Sequence, residues 1–408
     1  MSTIILLIGA FDVKGEEYGF VKGQIENQGC SVLTMNIGVL GDTDLFITDL
    51  PNALVAKAGG TDINKLQKDK DRGKAMETMA KGAAALTRQY FDEGKFHGVL
   101  GMGGSGGTSV ISSAMRALPI GVPKVLVSTV AAGDTTIITG VKDITMIPSI
   151  VDVAGINPIS EKVFKEAVGA ICGMTRMDYS LSGESKPVIC ASMFGNTTDC
   201  VNMCRESLVE RGYEVLVFHA TGTGGRTMEG LVDDGYVDAV LDITPTEWAD
   251  EICGGVFSAG PDRLAAPGRA RIPHLIAPGC VDMANFGPIE SVPEKYSDRQ
   301  LYEWNPNVTL MRTNVEENRT MGKIFAEKAN ASQGPVAFLL PTRGVSILDS
   351  DGDQFWLPEA DRAMFDAIKN NLNPRIEVVE LDVNINDAAF AETAVDMLLA
   401  LMPPAELD

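Results

Sequence analysis

Short apolar segments alternate with helix-length amphipathic segments along the whole chain, and this alternation restricts the possible folds more than any other feature. Runs rich in valine, isoleucine and leucine, such as residues 4–8 and 124–128, have the length of strands. Segments such as residues 74–90 have the length of helices. This alternation is typical of βαβ units, whose helices cover the faces of a parallel sheet. The sequence therefore predicts an α/β fold with mostly parallel sheets.

The alternation falls into two series, because the periodicity stops at residues 179–185, where small polar residues gather. In the first series the predicted strands are residues 4–8, 31–35, 98–100, 124–128 and 144–147, with helices at 16–28, 74–90 and 108–117. In the second the predicted strands are 187–192, 214–218, 237–243, 274–277, 308–311, 336–340 and 376–381, followed by a last helix at 388–401.

The two series also begin alike, with a strand, a helix, a glycine and a second strand. One constant offset relates Gly29 to Gly212, Asn36 to His219 and Gly41 to Gly224. We therefore expect two similar Rossmann-like domains, an N-terminal nucleotide-binding domain at residues 1–180 and a C-terminal domain at 181–408. Ligands of such folds bind beyond the carboxyl ends of the strands, so the turns after the strands are the places to search.

Composition excludes several classes of function. The 408 residues include 34 Lys and Arg against 55 Asp and Glu, a formal net charge of −21. An acidic chain of this kind repels nucleic-acid backbones, so we expect no nucleic-acid partner, and an anionic ligand must be held by local donors. The basic run at residues 65–74 lacks interleaved aromatic residues and predicts only a solvated helix.

Cysteine use and hydropathy indicate the compartment. The seven cysteines are scattered and odd in number, which argues against a disulfide framework. The N-terminal apolar run is shorter than that of a signal peptide, and no stretch is long enough to span a membrane. We expect a cytoplasmic protein with reduced thiols and no membrane partner. The three histidines exclude a histidine-rich zinc site, and the sequence identifies no metal-binding residues.

The strongest local motif is a glycine-rich segment at residues 101–108, between a predicted strand and a predicted helix. Glycines let a backbone approach a ligand closely, and free N–H groups at a helix start favour an anion. The motif lacks the Gly-Lys-Ser/Thr ending of a Walker A loop, and a plain flexible turn is the alternative. We expect its residues to hold phosphate, namely Gly103, Gly104, Ser105, Gly106, Gly107 and Thr108.

Two other turns of the first series carry polar side chains. Asp12 and Lys14 follow the first strand, where the carboxylate would hold a ribose hydroxyl or a metal-bound water and the amine a phosphate. A helix cap and a solvated lysine are the alternative interpretation. Thr129 and Asp134 follow the fourth strand, and we expect them at the same sheet edge as the glycine-rich segment.

The second series offers candidates for chemistry. His219 ends a strand and is followed by a second glycine-rich turn that contains Arg226, an arrangement suited to a general acid or base beside an oxyanion. Asp282 follows another strand. His219, Arg226 and Asp282 are therefore the catalytic candidates, whereas a hydrogen-bonded structural histidine is the alternative for His219. Cys280 has no neighbouring base in the sequence, which disfavours a nucleophile.

Five motifs in order resemble the ATP-binding family of the tomato mosaic virus resistance protein. They are Gly-Ala-Phe-Asp-Val-Lys at residues 9–14, the segments 103–108, 219–225 and 277–283, and Asn-Pro-Asn-Val-Thr-Leu-Met-Arg-Thr at 305–313. The resemblance spans the chain and implies two Rossmann-like domains, ATP bound by the first, and self-association as a dimer or higher homo-oligomer. Carried over, the phosphate loop is 103–108, with Asp12, Lys14, Thr129 and Asp134 as further ATP-binding candidates. Val13 and Trp304 depart from the family pattern, where threonine and histidine are usual.

The leading hypothesis is an ATP-binding protein that holds ATP with Mg²⁺ over the glycine-rich segment, while a cleft to the second domain accepts a small anionic partner. One alternative is a hydrolase or lyase acting on a small oxo-acid or sugar-acid with His219 as general base. Another is a non-catalytic interaction module that ATP stabilises. The absence of a Walker lysine from the sequence disfavours a fast P-loop ATPase.

Overall fold

The computed structural model describes residues 3–179 and 186–403. The chain forms two compact units, and the division between them falls between residues 181 and 182. The boundary expected at residues 180 and 181 therefore lies outside the described residues. We treat each unit by itself.

The first unit contains a five-stranded parallel sheet in the order β2-β1-β3-β4-β5. In chain order its elements are β1 (Ile4–Gly9), α1 (Phe11–Asn27), β2 (Ser31–Asn36), α2 (Asn52–Ala58), α3 (Ile63–Asp69), α4 (Arg72–Asp92), β3 (Gly98–Gly103), α5 (Ser105–Arg116), β4 (Lys124–Ser128), α6 (Thr136–Thr139), β5 (Thr145–Pro148) and α7 (Pro158–Met174).

Burial on both faces explains why its central strands are continuous apolar runs. On β1, Leu6 and Ile8 belong to one core cluster, together with residues of α4 and α5. Their neighbours Ile5 and Leu7 belong to a second cluster, with residues of α1 and α7. Successive side chains of a strand point to opposite faces, so a strand covered by helices on both sides has no polar face.

The second unit contains a six-stranded parallel sheet in the order β14-β13-β9-β8-β6-β7 and a three-stranded antiparallel sheet in the order β10-β12-β11. Its elements are β6 (Val188–Met193), α8 (Thr198–Glu210), β7 (Glu214–His219), α9 (Thr223–Asp233), β8 (Ala239–Asp242), α10 (Glu247–Cys253), α11 (Ala266–Ala270), β9 (His274–Ile276), β10 (Met283–Phe286), β11 (Leu301–Asn305), β12 (Val308–Arg312), α12 (Val315–Ala331), β13 (Val336–Pro341), α13 (Pro358–Asn371), β14 (Glu377–Leu381) and α14 (Ala388–Leu401).

The predicted α/β class with mostly parallel sheets is confirmed, and both large sheets begin in the same way. In each, the second strand lies outside the first, and the third and fourth strands follow on its other side. Gly29 and Gly212 occupy the same turn before the second strand, with φ of 76° and 93°. In both turns the glycine N–H donates to the carbonyl three residues earlier. The offset between the two series therefore relates equivalent turns.

The helices α1 and α5 begin earlier than the sequence predicts, with α1 starting at Phe11 instead of residue 16, and one predicted strand is present but pairs differently. The helix expected from residue 108 begins at Ser105, so part of the glycine-rich segment is helix rather than loop. The strand expected at 308–311 is β12, which pairs antiparallel with β10 and β11 instead of extending the parallel sheet. Within residues 3–179 and 186–403, no helix has both the length and the apolar character needed to cross a membrane.

Candidate functional site

A cavity of about 850 Å³ lies at the carboxyl ends of β1, β2 and β3 in the first unit. The strands β2 and β3 lie on opposite sides of β1, so the strand order reverses at this point. Doubly wound sheets bind ligands at such a switch point. We call it the first-unit cavity. It is lined by Ala10, Asp12, Val13, Ile37, Gly38, Val39, Leu40, Leu66, Gln67, Lys70, Asp71, Arg72, Ala75, Met76, Met79, Gly106, Gly107 and Val110.

The N-terminus of α5 forms one wall of this cavity. Gly106 and Gly107 lie in the first turn of the helix and line the cavity. The first N–H groups of a helix have no partner within it, and the helix dipole adds partial positive charge there. A Cβ added to Gly103 would lie 3.0 Å from the Cα of Gly107, a tight contact, so a glycine fits best at this position. The wall therefore offers backbone donors without side chains in front of them.

Three other residues of the glycine-rich segment do not line this cavity. The hydroxyl of Thr108 is buried, lies 2.7 Å from the Oγ of Ser128 and donates to the carbonyl of Gly103 at 3.3 Å. It holds β3, β4 and α5 together. Ser105 is exposed at the first position of the helix. Gly104 is the N-cap residue, in an extended conformation.

Two cations that sequence reasoning missed complete the cavity. Lys70 and Arg72 lie at the junction of α3 and α4, where Asp71 caps α4 by accepting from the N–H of Lys74 at 3.0 Å. A Cβ placed on Gly106 would lie 3.4 Å from the Nη2 of Arg72, so the guanidinium is close to the start of α5. The basic run at residues 65–74 is the sequence feature that could have identified them, but from the sequence it predicts only a solvated helix.

Asp12 lies in the first turn of α1 and lines the cavity. Its Oδ2 accepts from the N–H of Leu40 at 2.8 Å. Its Oδ1 is buried and has no hydrogen-bond partner among the residues that the structure describes. A Cβ on Gly38 would overlap this carboxylate, so Gly38 leaves the space that Asp12 occupies.

Asn36, at the end of β2, fixes the loops around Asp12. Its Oδ1 accepts from the N–H of Phe11 at 3.1 Å and from that of Gly38 at 2.8 Å. Its Nδ2 donates to the carbonyl of Gly41 at 3.0 Å. One buried amide thus ties the turn after β1 to the loop after β2, and the geometry of the cavity wall depends on it.

The remaining candidates of the first unit lie away from this cavity. The Nζ of Lys14 donates to the carbonyl of Val153, outside the lining of the first-unit cavity. Asp134 is exposed and accepts from the N–H and hydroxyl of Thr136 at 2.9 and 2.6 Å, and these bonds lower the pKa of Asp134. Thr129 lines a neighbouring cavity of about 500 Å³ with Ser128, Ala132, Pro148, Ser149, Ile150, Val151 and Asp152.

In the second unit, a carboxylate of the chain itself fills the helix start after the second glycine-rich turn. The Oε1 of Glu247 accepts from the N–H of Gly222 at 2.8 Å and from that of Gly225 at 3.0 Å. A Cβ on Gly225 would overlap Glu247. The glycines of this turn therefore serve an internal contact at the start of α9. Arg226 donates to the carbonyl of Ser258 at 2.9 Å, while His219 is exposed at the end of β7.

Glu247 belongs to a buried charge cluster around Arg263. The Nε of Arg263 lies 2.6 Å from Glu247, its Nη2 2.6 Å from Asp242 and its Nη1 3.3 Å from Glu229. Burial raises the pKa of Asp242, but the charge and hydrogen bonds of Arg263 and the nearby imidazole of His274 lower it by more, so that the net shift is downward. Buried charges are stable only when they are paired in this way, and the cluster is structural.

Asp282 is completely buried as well. Its Oδ2 accepts from the hydroxyl of Ser346 at 2.8 Å, and its Oδ1 lacks a partner within the described residues. Burial and the nearby carboxylate of Asp349 raise the pKa of Asp282 to about 7. Asp282 therefore has no surface that a ligand in solvent could touch, whereas the side chain of His219 is exposed.

The structure thus brings Asp12, Gly106 and Gly107 together in one cavity and adds Arg72 and Lys70. It places Lys14, Asp134 and Thr108 in other contacts. Across the described ranges 3–179 and 186–403, no group of three or more His, Cys, Asp and Glu is placed to hold a metal ion.

Sequence relatives cover the whole chain. A UPF0261 protein of Clostridium tetani is 48% identical over 404 residues, which are 98% of this chain and 100% of that protein. UPF0261 protein RA0729 of Rhizobium meliloti is 42% identical over 96% of this chain and 97% of that protein. The ToMV resistance protein Tm-1(GCR237) of Solanum lycopersicum is 43% identical over 81% of this chain, but the match spans only 45% of that longer protein.

Among solved structures, UDP-N-acetylglucosamine 2-epimerase from Rickettsia bellii is similar with a TM-score of 0.24 and 10% identity, over 67% of this chain and 78% of that chain. A similarity of that size carries no argument about function. The family profiles are decisive: the uncharacterised protein family (UPF0261) N-terminal domain matches residues 3–180 and the C-terminal domain of the same family matches residues 186–402. The chain belongs to the UPF0261 family.

Proposed function

We propose that the first unit binds a nucleotide, ATP, in the first-unit cavity. One observation carries the proposal: at the switch point of a parallel sheet, a helix N-terminus, two cations and apolar side chains line one cavity. The volume of about 850 Å³ lies within the range of cavities that hold ligands of this size.

The polar groups of the cavity lining suit phosphates. Gly106 and Gly107 present the first turn of α5, and Arg72 and Lys70 supply positive charge in an otherwise acidic chain. Hydrogen bonds from charged donors to phosphate are shorter and about twice as strong as those between neutral groups. A net charge of −21 is compatible with a phosphorylated ligand because these donors are local.

The apolar side chains of the lining suit a base. They are Leu66, Met76, Met79 and Val110, together with those of the loop that follows β2. Asp12 also lines the cavity, and its carboxylate would accept from a ribose hydroxyl or from a metal-bound water. A single cavity therefore offers a surface for each part of a nucleotide.

Magnesium would arrive with the nucleotide in this proposal. Asp12 and Asp71 are the carboxylates of the cavity lining, and together they are too few for an all-protein cage. Mg²⁺ commonly keeps several waters and binds through one or two carboxylates plus the phosphates of its substrate. The residues present fit that mode, with Asp12 as the direct or water-mediated contact.

The geometry favours this proposal over a reaction of a small oxo-acid at His219. Such a reaction needs a group that holds the acid beside the imidazole. The helix start next to His219 is already filled by Glu247, and Arg226 is bound to a backbone carbonyl. The proposal concerns the binding of ATP and not its cleavage or transfer.

The test is isothermal titration of the purified chain with MgATP, comparing the native sequence with Arg72→Ala. Loss of a charged hydrogen bond should weaken ATP binding roughly 10- to 100-fold. The same change should affect adenosine far less, because adenosine has no phosphate to contact Arg72.

Arg88→Ala is the matched control, since Arg88 is an exposed arginine of the same helix that pairs with Asp92. It should leave ATP binding unchanged. Absence of ATP binding by the native chain in the presence of Mg²⁺ overturns the proposal, as does equal weakening by both variants. Phosphate release and molecular mass measured in the same samples separate an enzyme from a self-associating module that ATP only stabilises.

A further inference from the structure

The second unit has a cavity of its own at the carboxyl ends of β6 and β7. We call it the Phe194 cavity; its volume is about 120 Å³, and Phe194, Gly195, Asn196, His219, Trp304, Val308 and Leu310 line it. Neither the glycine-rich turn nor the buried charge cluster around Arg263 contributes to it. It occupies the same place in the second sheet as the loops that follow β1 and β2 occupy in the first.

Aromatic and aliphatic side chains form most of the wall. The ring of Phe194 lies edge-on to the imidazole of His219, with centroids 5.4 Å apart. Trp304 and Val308 come from the antiparallel ribbon of β11 and β12, and Trp304 remains 48% exposed at the protein surface. Edge-on packing at this distance is the geometry that aromatic rings prefer, so a further ring fits such a wall.

One residue of the lining, Asn196, carries a buried polar atom without a partner among the described residues. Asn196 is 1% exposed, and its Nδ2 is directed at the Sδ of Met283, 3.4 Å away and outside the lining. Its Oδ1 is buried and has no hydrogen-bond partner in the part of the chain that the structure describes. A buried acceptor without a donor is destabilising, so a ligand that donated to the Oδ1 of Asn196 would remove that cost.

The backbone holds this amide in place. The carbonyl of Asn196 accepts from the N–H of Ile347 at 3.2 Å and from the Nδ2 of Asn386 at 3.1 Å. Asn196 lies in the short turn Gly195–Thr197 that precedes α8. The acceptor is therefore preorganised, which lowers the entropic cost of binding a ligand.

Volume limits the size of the ligand. A dry cavity of about 150 Å³ lined by aliphatic and aromatic side chains binds benzene, so one of about 120 Å³ holds a single ring. The lining contains no carboxylate, lysine or arginine, so a charged group has no counter-ion inside. A neutral ring with one donor matches both the wall and the lone acceptor.

We propose that the Phe194 cavity binds a single aromatic or heteroaromatic ring whose O–H or N–H group donates to the Oδ1 of Asn196. The imidazole of His219 is exposed and contacts whatever substituent extends from the ring into solvent. The inference concerns the second unit and does not depend on nucleotide binding by the first.

The probes are 4-fluorophenol, which has the donor, and fluorobenzene, which lacks it. Fluorine NMR line widths of each probe are measured against the concentration of the full chain. We expect 4-fluorophenol to bind roughly 3- to 10-fold more tightly than fluorobenzene, the ratio that one neutral hydrogen bond gives. In Asn196→Ala that ratio should fall to about one, while fluorobenzene still binds.

Val308→Trp fills the cavity and should abolish binding of both probes. Its matched control is Val209→Trp on α8, at a residue that is exposed outside the cavity. If circular dichroism shows that Asn196→Ala fails to fold, Trp304→Ala is used instead. An exposed tryptophan can be truncated without opening the core, and both probes should bind this variant more weakly. Absence of broadening for either probe, equal binding of the two probes, or binding that survives Val308→Trp overturns the proposal.

Discussion

At the scale of single residues, Gly38 decides where the carboxylate of Asp12 lies. The glycine is buried beside it, and any side chain there would occupy the position of Oδ1. The backbone cannot retreat easily, because the amide of Asn36 holds the N–H of Gly38. The position of Asp12 in the first-unit cavity is therefore set by a residue that the sequence motifs do not include.

We expect Gly38→Ala to turn Asp12 away from the N–H of Leu40 and to weaken MgATP binding roughly 5- to 30-fold, the effect of one or two lost hydrogen bonds. Isothermal titration measures the change. Gly41→Ala is the control, because a Cβ at Gly41 meets no atom within 4 Å, and it should bind MgATP as the native chain does. Unchanged affinity in Gly38→Ala would remove Asp12 from the site.

At the scale of elements, two helices that begin with similar glycine-rich segments have opposite roles. The start of α5 opens onto the first-unit cavity, whereas the start of α9 is closed by Glu247. At the start of α9 glycine is required because Glu247 approaches the backbone closely. In α9 the approaching atoms belong to the chain, and in α5 the proposed ligand would supply them.

Paired substitutions should separate the two roles. The Cβ added in Gly107→Ala would contact only the carbonyl of Met102, at 3.9 Å. The free energy of unfolding should therefore stay unchanged or rise by about 0.5–1 kcal/mol, because alanine has the higher helix propensity, while MgATP binding weakens. Gly225→Ala overlaps Glu247 and should lower the free energy of unfolding by about 1–3 kcal/mol, with MgATP binding retained. Urea denaturation and titration measure both quantities, and the reverse pattern would contradict these roles.

The same comparison shows how far sequence reasoning reaches. Alternating apolar and amphipathic segments predict the parallel sheets because strand and helix periodicities are local properties, and Ala388–Leu401 is found exactly as expected. Sequence cannot show that Glu247, more than twenty residues after Gly222, returns to fill its helix start. Nor does it show that Arg72 reaches Gly106, since that contact depends on how α4 packs beside α5.

At the scale of the whole molecule, each unit has hydrophobic cores of its own. The clusters on both faces of the first sheet contain only residues of the first unit, and those around the second sheet contain only residues of the second. All three tryptophans of the chain, Trp248, Trp304 and Trp356, belong to the second unit. Tryptophan fluorescence therefore reports the unfolding of that unit, whereas circular dichroism reports both.

We expect MgATP to stabilise the first unit selectively, because a ligand stabilises the folded state to which it binds. At a concentration of 100 times its Kd the gain is about 2.7 kcal/mol, which raises the Tm of a domain of this size by roughly 5–10 °C. The circular dichroism transition of the first unit should shift by that amount while the tryptophan transition stays in place. Arg72→Ala, with its roughly 10- to 100-fold weaker binding, should reduce the shift to about 1–5 °C at the same MgATP concentration. Equal shifts of both signals would mean that the two units unfold as one cooperative body, and no shift of either would contradict nucleotide binding itself.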